Sequence, residues 1–116
     1  MADAPGKEGR RALKIKCGAV SRLRKEIGLY EEEAAREAAK VEAMRAADAC
    51  PHDVKQQEAV QAESAMMIPD CRVRLESALG DLQAALAEWG DAEGVAGSEE
   101  LTAARALAAE VAPLFD

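Results

Sequence analysis

The sequence predicts an all-α fold: an elongated antiparallel three-helix bundle with two long helices and a shorter third. Three observations carry this expectation. Ala, Glu, Lys, Leu and Arg make up 58% of the 116 residues, a composition typical of long helices that pack along narrow seams. Aromatics are 3% and asparagine is absent, which argues against sheets, because strands favour β-branched and aromatic residues. Apolar residues also recur in heptad phase over most of the chain. The apolar content of 49% overstates the bulk available for a core, since 27 of these residues are alanine. Leu, Ile, Val and Phe together reach only 18%. A length of 116 residues fits one domain, and thin helical layers enclose little volume for a deep catalytic pocket.

The elements follow in order. Residues 1–9 contain Pro5, Gly6 and Gly9 and read as a flexible tail ahead of a single domain over 10–116. The first helix is expected over about 10–47. Leu13, Val20, Ile27, Ala34 and Val41 recur every seven residues, with Leu23, Tyr30 and Met44 three residues after members of that series. Lys16 and Glu37 occupy the same stripe. Gly18 and Gly28 weaken the helix by up to about 1 kcal/mol each. The Ala/Glu/Arg-rich run from Glu31 to Ala47 offsets them, and Glu32 with Arg36 adds an i,i+4 pair.

Asp48 to Asp53 ends the first helix. Pro51 suits the first position of a new one, and Asp53 complements the dipole of its start. The second helix is expected over 51–89, with Val54, Ala65, Ile68, Leu75, Leu79, Leu82, Leu86 and Trp89 on its stripe. Glu58 and Gln61 make the first half of that seam polar. Pro69 lies inside this helix, lacks a backbone donor and collides with the carbonyl of Ala65, so a kink is expected there, with an outright break as the alternative that the continuous phase of the stripe disfavours. Gly90, Gly94 and Gly97 mark a loop. Ser98 is a good N-cap for a third helix over about 99–112, with Leu101, Ala104, Ala108 and Val111 on one face and Leu107 alongside. Pro113 ends it.

Charge is unevenly spread within a net charge of -7. From Lys7 to Lys25, eight bases stand against Glu8 alone. From Glu88 to Asp116, seven acids stand against Arg105 alone. Either the two segments relieve each other within the chain, or the basic one faces an acidic partner. Nucleic acid fits poorly: the chain is acidic overall, and no aromatics interleave with the bases.

Little in the sequence suits catalysis. His52 is the only histidine, and two ligands, Cys50 and His52, do not make a zinc site. No glycine-rich phosphate loop or buried carboxylate pair stands out, so neither a cofactor nor an enzymatic activity is expected. Cys17, Cys50 and Cys71 are an odd, widely spaced set and read as reduced thiols. No apolar run is long enough for a membrane span, and Met1 to Arg10 lacks an apolar signal core. A cytoplasmic protein is expected.

One stretch breaks the local pattern. Met66-Met67-Ile68-Pro69-Asp70-Cys71-Arg72 puts adjacent apolar residues on more than one face beside a proline. It is either a widened core around a kink or an exposed ledge for a partner, a use that flexible methionines suit.

Ile15-Lys16 with Val20, Arg22-Leu23, Lys25-Glu26, Tyr30-Glu31 and Met44-Arg45-Ala46 resemble the first helix of the tubulin-binding cofactor A family. Glu63-Ser64, the run Met66 to Cys71, Arg74-Leu75-Glu76 and Asp81-Leu82-Gln83 resemble that family's second helix. The resemblance covers about Leu13 to Leu86 and thins after Trp89; the turn Cys50-Pro51-His52, Gly28 and the alanine-heavy middle depart from it. It implies a cytosolic chaperone that captures β-tubulin after release from the chaperonin, without nucleotide, for assembly of the αβ heterodimer. It also implies association with other tubulin-folding cofactors and leaves monomer and homodimer both open. It puts weight on the helical faces rather than the turn. The candidate contact surface is Lys14, Lys16, Arg22, Lys25, Tyr30, Met67, Asp70, Arg72 and Arg74. Two competing readings are a coiled-coil adaptor that self-associates through the polar seam at Glu37, Glu58 and Gln61, and a membrane-surface helix. The second lacks bulky apolar anchors.

Overall fold

The computed structural model describes residues 5–116. They form three helices in chain order, the second in two segments, with no strand among the described residues. Helix α1 spans Lys7–Ala46, α2 Pro51–Ala65, α3 Met67–Trp89 and α4 Glu99–Val111, followed by a 3₁₀ turn at Ala112–Phe115.

The heptad pattern decides which face of each helix is buried. On α1, Leu13, Val20, Ile27 and Val41 are buried, and Lys16, Leu23, Tyr30, Ala34, Glu37 and Met44 of the same stripe are half-buried. The second helix carries a matching seam through Val54, Gln57, Gln61, Ser64, Ile68, Cys71, Leu75, Ala78, Leu82, Ala85 and Trp89, all buried or half-buried. Spacings alternate three and four without a slip, so the seam keeps phase through the junction of α2 and α3. It passes through Ser64, however, and not through Ala65, which is exposed. Leu101, Ala104, Ala108 and Val111 form the buried face of α4.

Met66 separates α2 from α3, yet its backbone stays in the right-handed helical region (φ −62°, ψ −25°). Its N–H is shared between the carbonyls of Ala62 (3.1 Å) and Glu63 (3.2 Å). The interruption falls one turn before Pro69, where the missing proline donor leaves the Ala65 carbonyl without its helical partner.

The chain divides into two compact units. One contains the described residues up to Leu23 together with Arg74–Asp116; the other is Arg24–Val73. In the first unit, α1 and the later part of α3 are antiparallel, since Gly9 near the start of α1 abuts Trp89 at the end of α3. A Cβ on Gly9 would come within 2.6 Å of the Trp89 ring and 2.8 Å of Val95, so only glycine permits this approach. Helix α1 therefore begins at Lys7, earlier than the expected residue 10, because tertiary packing holds residues 7–9. Of the expected flexible tail 1–9, residues 1–4 lie outside the described residues, and Pro5-Gly6 rests against Glu93 and Gly94. Most of the core belongs to this unit: Leu13, Val20, Leu75, Leu79, Leu82, Val95, Leu101 and Val111. Each such side chain contributes roughly 1.5–3 kcal/mol of burial.

The second unit is a helical hairpin. Its arms are antiparallel, with Arg45 beside Glu58 and Glu37 bonded to Gln57. Its buried apolar residues are Ile27, Val41 and Cys71, and α2 itself buries none of its residues. The turn is closed by a Schellman motif: Ala49 N–H donates to the Met44 carbonyl (2.9 Å) and Asp48 N–H to the Arg45 carbonyl (3.1 Å). Asp48 takes the left-handed conformation this motif needs, at φ 54°.

Candidate functional site

In the first unit, each step along α1 turns about 100°, which places Lys14 and Arg22 about 80° apart on its outer side. Both are exposed, and Ile15 beside them is 58% exposed. Lys16 is about 200° from Lys14, next to the buried stripe, and is half-buried. The predicted basic residues therefore do not share one face. Lys14 and Cys17 line a shallow groove with Glu99, Glu100 and Ala103 of α4. Partial burial raises the pKa of the Cys17 thiol. The basic and acidic segments meet here: Arg10 Nε lies 3.9 Å from Glu100 Oε2. Arg74 is exposed on α3.

In the second unit, Lys25 is exposed and Leu29, one turn on, is 56% exposed. Tyr30 is half-buried and its hydroxyl donates to Glu26 Oε1 at 3.1 Å. That bond to a carboxylate raises the tyrosine pKa, and desolvation and the charge of Glu26 add to it. Met66 and Met67 are both at the surface, while Ile68 is half-buried and Cys71 buried. The run around Pro69 is therefore an exposed apolar ledge over a small inward anchor. Asp70 and Arg72 are exposed, and these two and Arg74 each have interaction partners within the chain. Met67 lines a groove with Val60, Glu63, Ser64 and, from α1, Glu33.

Sequence reasoning did not mark Ile15, Leu29, Val60 and Val73 as exposed, yet each shows 45–66% of its surface. The signal was there for the first two: Ile15 and Leu29 lie off the heptad series that contains Leu13 and Ile27. Among the described residues, no three His, Cys, Asp or Glu side chains are grouped to hold a metal ion. None of the described helices is long and apolar enough to cross a membrane.

A family model described as tubulin binding cofactor A matches residues 8–108, from the start of α1 well into α4. The chain belongs to the tubulin binding cofactor A family. It is 52% identical over 89 residues to the tubulin-folding cofactor A of Arabidopsis thaliana, covering 77% of this chain and 79% of that relative. It is 49% identical over 83 residues to the tubulin-specific chaperone A of Homo sapiens, covering 72% of this chain and 77% of that one. The crystal structure of tubulin folding cofactor A from Arabidopsis thaliana matches with a TM-score of 0.85 at 46% identity, over 91% of this chain and 97% of that chain. The all-α three-helix architecture is thus the one that the tubulin binding cofactor A family has. The family match extends past Trp89, after which the resemblance thins, and takes in the loop and most of α4.

Proposed function

We propose that this chain is a cytoplasmic tubulin chaperone. It captures β-tubulin folding intermediates after their release from the chaperonin and holds them for assembly into αβ heterodimers. It acts by binding alone, without nucleotide or catalysis, and stabilises the bound state of its client by mass action. The observation that carries the reading is membership of the tubulin binding cofactor A family over residues 8–108. Surface chemistry agrees with it: apolar side chains at Ile15, Leu29, Met66, Met67 and Val73 stand exposed among charged neighbours, an adaptable surface for a partly folded client.

The contact surface in this proposal comprises Lys14, Arg22, Lys25, Tyr30, Met67, Asp70, Arg72 and Arg74, with Lys16 apart from them at the edge of the buried stripe. The bases attract an acidic client, and the ledge at Met67 supplies apolar contact. Other tubulin-folding cofactors join the complex at later steps. Self-association as a coiled-coil adaptor is the less favoured reading: of the polar residues expected on its seam, Glu37 accepts from Gln57, while Glu58 lies exposed off the seam and accepts from Arg45 at 2.8 Å.

The test is association kinetics with purified β-tubulin in nucleotide-free buffer at rising salt. Binding should weaken with salt, and reversing Lys14, Arg22 and Lys25 together should slow association. An on-rate indifferent to both would remove the electrostatic part of the proposal.

A further inference from the structure

We infer that the groove at Glu33, Val60, Glu63, Ser64 and Met67 is a second docking surface, shaped for a short basic amphipathic helix of a partner protein. Val60, Glu63, Ser64 and Met67 stand at i, i+3, i+4 and i+7, which brings them onto one side of the second helix. From Val60 to Met67 is about 10 Å, or two helical turns. Both apolar members are open to solvent, Val60 at 45% and Met67 at 44%. The groove, about 370 Å³ in volume, is closed on the α1 side by Glu33.

Charge identifies the occupant. One carboxylate stands on each wall, Glu33 from α1 and Glu63 from α2, and the groove has no lysine or arginine. Arg36, one turn beyond Glu33 on α1, is exposed but outside the groove lining, and Arg45, further along, is bonded to Glu42 and Glu58. An apolar floor between two acids takes a helix with an apolar stripe flanked by lysine or arginine. An acidic segment meets like charge on both sides. This is the opposite preference to that of the basic residues Lys14, Arg22 and Lys25; of the proposed tubulin contact residues, the groove shares Met67 alone.

The packing of the hairpin gives this surface something to gain. Helix α2 buries none of its residues, and the side it turns toward α1 carries Gln57, Gln61 and Ser64. A helix laid in the groove covers Val60 and Met67, which the fold leaves wet. The inference goes beyond the tubulin reading and is tested without tubulin.

The test uses the full chain and two fluorescein-labelled synthetic helical peptides. They share one leucine stripe and differ only in lysine or glutamate at its flanks. By fluorescence anisotropy at low salt, the lysine peptide should bind roughly three- to tenfold tighter than the glutamate peptide, the range expected for two part-exposed charge pairs. Glu33→Lys with Glu63→Lys should reverse that order, and Glu33→Gln with Glu63→Gln should abolish it. Val60→Ser with Met67→Ser should weaken both peptides, while circular dichroism shows the helices intact. Equal binding of the two peptides, or an order that survives the double lysine variant, overturns the inference. So does concentration-dependent self-association that the Val60→Ser, Met67→Ser variant abolishes, since a second copy would then be the occupant.

Discussion

The guanidinium of Arg10 lies 2.7 Å from the carbonyl oxygen of Gly94 and ties the start of α1 to a loop 84 residues further along the chain. The same nitrogen donates to the Pro5 carbonyl at 2.8 Å. Pro5-Gly6 and Glu93-Gly94 are held backbone to backbone, and Gly94 sits at φ +79°. A Cβ there would fall 1.8 Å from the Pro5 carbonyl oxygen. Gly94→Ala should therefore cost about 1–3 kcal/mol, through positive φ and the forced displacement of Pro5. Denaturant unfolding measures the loss. Trp89 is the only tryptophan and packs against Gly9, so its fluorescence reports whether the N-terminal segment has moved.

Asp48 offers the converse case. Its φ of 54° serves the Schellman turn but strains a side-chain-bearing residue. Asp48→Gly removes about 1–2 kcal/mol of left-handed strain and adds about 0.5–1 kcal/mol of unfolded-state entropy. A net gain of about 0.5–1 kcal/mol is expected from thermal or denaturant unfolding.

Tyr30 is the only tyrosine, which makes its titration clean. Its pKa is raised from 10.0, first by the bond to Glu26. A raised folded pKa means the contribution is fully present below the ordinary tyrosine value and is lost as pH climbs through the raised one. Tyrosinate absorbance should rise at higher pH in the folded chain than in urea. Glu26→Gln should narrow the gap between the two curves, leaving the part due to desolvation.

Much of this architecture was legible in the sequence, for a reason that particular residues make plain. Leu13, Val20, Ile27 and Val41 repeat every seven positions, and Leu101, Ala104, Ala108 and Val111 define one face of α4, so local periodicity settled both buried stripes. Pro69 and Ser98 act on their own backbone neighbourhood, so the interruption and the cap were legible too. What escaped depends on contacts distant in sequence. Gly9 reads as a tail residue until Trp89 and Val95 are seen against it. Ala65 and Ser64 are adjacent, and hydrophobicity favoured the wrong one: with so few large residues in α2, the seam runs through Gln57, Gln61 and Ser64. At the candidate surface, charge counting grouped Lys16 with Lys14, although two residues along a helix reverse the direction of a side chain.

The uneven core implies uneven stability. Helix α4 buries Leu101, Ala104, Ala108 and Val111, whereas α2 buries no residue. Local opening is easiest where few apolar contacts oppose it. Amides of α2 should exchange with deuterium faster than those of α4. Matched rates would mean that the hairpin opens only with the whole chain.

Capture of β-tubulin is the central claim, and co-purification from cell extract tests it most directly. The tagged chain, recovered at low salt without nucleotide, is probed separately for the two tubulins. β-Tubulin is expected in the bound fraction without α-tubulin. Recovery of the two in equal amounts, or of neither, would contradict it.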